Sequence, residues 1–478
     1  MTTALWLLGI VLAVGSPPET ARPAAPTGTA PTEAAGRSIR LLIVAPAAWC
    51  EPLEPFAAFK RTRPGIAAVE LASLEGLLAQ GEGGDAPERL KRAFFERRAA
   101  HGLDAVLLVG DADVLPVRYM VLDRVTEAAF DTAFYPSDLY YADLAKADGS
   151  FEDWNGARDG IHARYFGEVH GERNKQDPIN FDGIDYLPDI AVGRWPVSTV
   201  EEAVAVAAKS RRHEEATADV DGTNEAAAGF SVQFVASGGW VDNGARIRGT
   251  AATLHGPWIA QVAGYFDTEH PPTEAAVREA IESGARVVFH TGHGQPHGWD
   301  GCLRDSTLDA SSGRAVLPVL FSIGCSTAET ATQAPYQAYI DVDGVEHEGT
   351  NGGEVFQTFP PPPAPIQTGR CNTTSVGERS VRRPDGGAVV YIGCVTGSQP
   401  CAQSLLDGFV ASMSAHPEAT IGEHWCSAVR HYHQVERLDA LVPTDDWYPP
   451  SIYFQGMKFI VFGDPTVRLI PVPRPSRP

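Results

Sequence analysis

What most restricts the fold of this chain is a recurring alternation. Short, mostly apolar runs stop at glycine or a turn residue and are separated by stretches of helical spacing. Ile39-Arg40-Leu41-Leu42-Ile43-Val44 opens the series. Residues 103–109 repeat it before Gly110-Asp111, and 190–192 repeat it before Gly193-Arg194. Further runs lie at 230–236, 286–290, 316–323, 388–393 and 458–462. Strands with apolar side chains on both faces belong inside a parallel sheet with helices on either side. The intervening stretches 51–61, 87–101, 199–215, 244–262, 273–283, 402–413 and 421–435 read as those helices. Strands alternating with helices predict an α/β fold.

A chain of 478 residues exceeds what one small core needs. The polar, Ala/Gly-rich stretch 216–228 divides it into an N-terminal α/β subdomain, 39–220, and a C-terminal one, 228–473. Residues 331–372 break the rhythm, with a tetraproline at 360–363, and read as a long surface insertion. Residues 1–16 read as a signal peptide: an apolar run at 5–14, then Gly15 and Ser16, then Pro17-Pro18. The run is too short to span a bilayer comfortably. No Lys or Arg precedes it, so an uncleaved anchor is the competing reading. Residues 17–38, rich in Pro, Ala and Thr, read as a disordered linker or short pro-segment. The expected location is secreted, periplasmic or at the cell surface. A net charge of −22 argues against nucleic acid, whose phosphates need Lys and Arg, and against anionic lipid beyond the signal peptide.

Two of the apolar runs end in reactive residues. One continues into His290-Thr291-Gly292-His293-Gly294 and the other ends Ser322-Ile323-Gly324-Cys325. Sites in open parallel sheets lie just outside the carboxyl ends of strands. If these two strands are parallel neighbours, His293 and Cys325 share one rim. An imidazole there favours the thiolate and later gives a proton to a leaving amine. The backbone N–H groups of Gly294 and Cys325 are the candidate oxyanion donors. Each residue has a plainer reading. A cysteine closing an apolar strand is usually a small core residue, and a histidine between glycines is often part of a turn. His290, His293 and His297 could also suggest a metal site. Strand alternation turns His290 away from the rim, however, and no carboxylate ligand motif accompanies the three, so no metal is predicted.

The segment 290–294, with Trp299 downstream, resembles the gingipain Tyr-Thr-Gly-His-Gly segment that bears the catalytic histidine. The run 317–325 resembles the same family's strand ending in its nucleophilic cysteine. Further matches in the same order are Leu107-Leu108-Val109-Gly110-Asp111-Ala112-Asp113, Asp138-Leu139-Tyr140-Tyr141-Ala142-Asp143, Pro188-Asp189-Ile190-Ala191-Val192-Gly193-Arg194 and Phe462-Gly463-Asp464-Pro465. The resemblance spans about residues 39–472. It implies a caspase-like three-layer α/β/α sandwich with two subdomains of mostly parallel sheet, and a His293–Cys325 dyad with Gly294 lending an oxyanion N–H. Arginine-cleaving gingipains carry an acid in the specificity pocket shortly after an Asp-Asn-Gly run. Here Asp242-Asn243-Gly244 is followed by Ala245, Arg246, Ile247 and Arg248, with no acid.

The expected function is therefore a secreted cysteine endopeptidase acting on protein or peptide substrates through a thioester. The alternatives are a non-catalytic caspase-like binding module and a transpeptidase using the same thioester. Asp242 and Trp299 are candidate substrate contacts, although Asp-Asn-Gly more often simply forms a turn. Arg194, after a buried strand, is expected to pair with a carboxylate. No cofactor is expected; a structural calcium is left open. The chain has seven cysteines. With Cys325 reactive, the other six allow up to three disulfides or a set of buried thiols.

Overall fold

A computed structural model describes residues 38–121, 134–154, 184–218, 229–239, 241–266, 270–333, 337–341, 344–348, 365–366, 374–442, 452–453 and 455–470. The stretches read as signal peptide and, but for Ser38, as linker, together with Cys371 and much of residues 331–372, lie outside these residues.

Ten strands form one sheet: β1 (Ile39–Ala45), β2 (Ile66–Ser73), β3 (Ala105–Val109), β4 (Ala191–Trp195), β5 (Phe230–Ala236), β6 (Ile259–Tyr265), β7 (Val287–Thr291), β8 (Val319–Ser322), β9 (Val390–Cys394) and β10 (Phe459–Gly463). Their order across the sheet is β2-β1-β3-β4-β10-β9-β8-β7-β5-β6. Every neighbouring pair is parallel except β9 and β10. The central strands are buried on both faces, as their apolar composition requires. The outermost strands, β2 and β6, are only partly covered. Helices flank the sheet: α1 (Ala47–Arg61), α2 (Leu74–Gln80), α3 (Ala86–His101), α4 (Val200–Ala218), α5 (Asn243–Thr253), α6 (Glu274–Glu282), α7 (Val376–Arg382), α8 (Gln403–Ala415) and α9 (Ile421–Glu436). This is the α/β/α, caspase-like architecture.

Strands from residues 39–220 occupy one half of the sheet and those from 228–473 the other. The antiparallel β9–β10 pair reverses direction, so the carboxyl-end rims of β7 and β8 and of β1, β3 and β4 open on opposite edges. The seam is the β4–β10 contact, where Phe462 pairs with Arg194. Charges are buried beside it. Arg194 makes a bidentate contact with Asp138 at 2.7 and 2.8 Å and donates to the Gly110 carbonyl at 2.9 Å. This is the carboxylate partnership expected of it. Lys60 on α1 reaches Glu214 on α4 at 2.8 Å and Asp464, just past β10, at 3.0 Å. Breaking such a fully enclosed pair would strand a charge.

Residues 244–262 do not form one helix. Helix α5 ends at Thr253 and β6 begins at Ile259. Gly256, at φ +154°, and Pro257, which has no N–H to donate, break the helical ladder between them. The insertion contributes three short strands, Tyr339–Asp341, Glu346–His347 and Pro365–Ile366, in a small antiparallel sheet of its own.

His213 on α4 illustrates how the core fixes the site strands. Its Nδ1 accepts the Leu317 N–H at 3.0 Å, just ahead of β8. Burial, and then the nearby charges of Arg286, Lys209 and Lys60, hold its pKa down at about 3. The unfolded imidazole titrates near 6.5. The site therefore stabilises the fold fully above about pH 6.5 and loses that contribution as pH falls toward 3. In that window the unfolded chain holds about one more proton here, a slope of about 1.4 kcal/mol per pH unit. A His213→Gln protein, compared by urea unfolding between pH 6 and 4, should show a slope shallower by about that much.

Candidate active site

The chain runs from β5 outward to β6, then returns to place β7 on the other side of β5. Connections diverge at that point, and the crevice they leave at the strands' carboxyl ends is where ligands settle in open α/β sheets. Segments after four successive neighbours line a cleft there. Gly239, Val241 and Asn243 follow β5; Gly292 and His293 follow Thr291 at the end of β7. Ile323 and Cys325 follow β8, and Ser398, Gln399 and Pro400 follow β9.

Strands β7 and β8 are parallel neighbours in register, His290 beside Ser322, as their matched runs predict. His293 and Cys325 are thus carried to the same rim. The His293 side chain is exposed and Cys325 is half-buried. The two loops touch backbone to backbone. A Cβ on Gly294 would lie 2.9 Å from the Cys325 carbonyl oxygen, and one on Gly324 would lie 2.9 Å from the Gly294 nitrogen. Any side chain at either position would push the loops apart. Ser326, directly after the cysteine, has φ +53°, a left-handed conformation uncommon for serine. Such backbone strain clusters at functional sites.

The nearest polar groups to the Cys325 sulfur belong to Ser398. The Ser398 N–H donates to Sγ at 3.2 Å, and its carbonyl lies 3.6 Å from the same atom. Gln455, fully buried just ahead of β10, holds this loop at two points. Its Oε1 accepts the Gln399 N–H at 2.9 Å, and its Nε2 donates to Ser398 Oγ at 3.2 Å. Sequence reading did not single out either residue. Ser398 could have been found, since the 397–400 loop follows an apolar strand as the two reactive loops do. Nothing local marks Gln455.

Two of the other thiols are packed in the core. Burial pushes the pKa of Cys394 up to about 12 and that of Cys426 up to about 11, so both stay protonated and packed.

Two candidate substrate contacts are placed differently. Asp242 is the N-cap of α5, its Oδ1 accepting the Ala245 N–H at 2.8 Å. Its neighbours Val241 and Asn243 line the cleft in its stead. Trp299 as a substrate contact is corrected: it is 1% exposed, stacks flat on His290 and donates from Nε1 to Tyr391 Oη at 2.9 Å. An indole with its face and its N–H both engaged in the interior has nothing to offer a substrate. His290 is likewise enclosed, with both ring nitrogens bonded to serines, so it does not join His293 and His297 at the surface. Among the described residues no three His, Cys, Asp or Glu side chains gather where a metal ion could sit. No described helix is long and apolar enough to cross a membrane.

The family model described as peptidase family C25 matches residues 34–470. A solved structure titled simply as that of a protease is 16% identical, with a TM-score of 0.56, covering 91% of this chain and 78% of its own. The Arg-specific cysteine proteinase gingipain R is 14% identical, with a TM-score of 0.57, covering 92% and 80%. The complex of Porphyromonas gingivalis RgpB pro- and mature domains is 14% identical, with a TM-score of 0.53, covering 90% and 79%. At these identities the structures speak to the fold. No curated protein matches the chain.

Proposed function

Since the chain belongs to peptidase family C25 and is a cysteine peptidase, we propose that it is an exported endopeptidase that cleaves peptide bonds through a Cys325–His293 dyad. The observation that carries the reading is the convergence of His293, Cys325 and the Ser398 amide on one cleft at adjacent strand ends. In the proposed reaction the Cys325 thiolate attacks the scissile carbonyl carbon. The N–H groups of Gly294 and Cys325 receive the oxyanion. His293 gives a proton to the departing amine, leaving a thioester, and then takes one from the water that hydrolyses it. Export rests on the apolar run at 5–14.

The described residues lining the cleft include no carboxylate. A substrate guanidinium or ammonium entering it would have to give up water without an opposing charge. Profiling the purified protein on a peptide library should therefore find cleavage without strong preference for arginine or lysine before the scissile bond. Selective cleavage after arginine would show that an acid from elsewhere reaches the pocket. Absence of cleavage, with no labelling of Cys325 by an alkylating probe, would sink the proposed chemistry itself.

A further inference from the structure

Beneath the two loops lies a polar chain that the proposed reaction does not use. His290, on β7, is fully buried. Its Nε2 is 2.9 Å from Ser237 Oγ and its Nδ1 is 2.8 Å from Ser322 Oγ. Ser237 Oγ in turn donates to the His293 carbonyl at 3.3 Å, and Ser322 Oγ accepts the Gly324 N–H at 3.1 Å. One end of the chain thus grips the backbone of the histidine loop and the other grips the residue before Cys325. The ring is held flat against Trp299, with centroids 4.6 Å apart and planes 3° apart.

We propose that His290 is a positioning residue which, as the Nε2–H tautomer, sets the spacing between the His293 and Cys325 loops through Ser237 and Ser322. This rests on the dyad reading above. The direction of the chain follows from counting protons. A carbonyl only accepts, so Ser237 spends its proton on the His293 carbonyl and must accept from His290 Nε2–H. Nδ1 then has only a lone pair and accepts the Ser322 hydroxyl proton, while Ser322 oxygen takes the Gly324 N–H. In this direction both ring nitrogens and the His293 carbonyl are satisfied, with Tyr391 also against Ser322 and the Thr291 carbonyl, at 3.5 Å, a longer second acceptor for Ser237. In the other tautomer the His293 carbonyl loses the Ser237 proton, because Nε2 claims it. Burial, and then the nearby His293, hold the His290 pKa at about 3, so the ring stays neutral wherever the enzyme would be assayed.

The test has two independent arms. In wild-type protein labelled with 15N-histidine, the His290 shifts should report a protonated Nε2 and a bare Nδ1. The reverse assignment, or an averaged pair of shifts, would overturn the proposal whatever the variants do. In the kinetic arm, His290→Phe keeps a flat ring against Trp299 and loses both nitrogens. A displacement of ~1 Å between reacting groups costs on the order of 10²-fold. kcat should therefore fall about 10- to 100-fold with KM little changed, and His290→Gln, which offers one donor and one acceptor, should recover part of the loss. A folded His290→Phe protein with wild-type kcat, or a folded His290→Gln protein no more active than His290→Phe, would overturn the role. Cys325→Ala, assayed alongside, separates the two failures. Activity surviving there would sink the dyad reading, whereas its loss beside a fully active His290→Phe would sink only the role given to His290.

Discussion

Replacing Cys325 with alanine is expected to abolish peptidase activity while leaving the fold intact. Alanine cannot form a thioester, and among the described residues lining the cleft Cys325 is the one thiol. Cys325 is only half-buried and its polar contacts are the Ser398 backbone groups, so truncation leaves a small, partly solvated gap and no stranded charge. Circular dichroism and a melting curve should match wild type. Peptide hydrolysis should fall to background, and an alkylating probe should no longer label this position. A folded Cys325→Ala protein that still cleaves would remove the nucleophile from the account.

The second large effect is expected at His293. Proton transfer by a positioned imidazole contributes typically ~10²–10⁴-fold, and His293→Ala should lower kcat by an amount in that range. Stability should change little, because the side chain is exposed. The double variant should lose almost nothing beyond Cys325→Ala alone, since groups that act on one transition state as a unit are not additive. Losses that multiplied would mean that the two residues serve separate steps or separate sites. Initial rates on one peptide for the four proteins of this cycle decide the matter.

The parts of this site that could be read from the sequence share one property: their role follows from place along a single strand. β7 and β8 announced themselves as apolar runs, and the glycine-bounded residues at their ends fell on one rim because parallel neighbours end together. Arg194 was legible for the same reason. What escaped depends on pairings between distant segments. β6 was hidden in a helical reading because an Ala-rich stretch at an edge need not be strongly apolar. The reversal at β9 and β10 has no local signature, since an antiparallel strand buried on both faces has the composition of a parallel one. Trp299 was read by its nearness in sequence to His293. The hairpin it belongs to, pairing Gly294 with Trp299, turns it under the site. Gln455 acts on a loop more than fifty residues earlier, so only the fold brings them together.

β10 has a consequence for when this enzyme can first act. It is the last strand of the sheet in chain order, yet it sits in the middle, between β4 and β9. During synthesis the two halves can each begin to form and to touch, as at His213 and Leu317, but their strands do not join into one sheet until residues 459–463 have emerged. Gln455, which holds the Ser398 loop against the Cys325 sulfur, arrives immediately before that strand, and Asp464, which receives Lys60 from the first helix, arrives immediately after. Closing the seam and aligning the nucleophile's loop are therefore one late event. A pairing of such long sequence separation forms slowly. A chain that has not yet reached residue 455 carries His293 and Cys325 without the glutamine that holds the Ser398 loop.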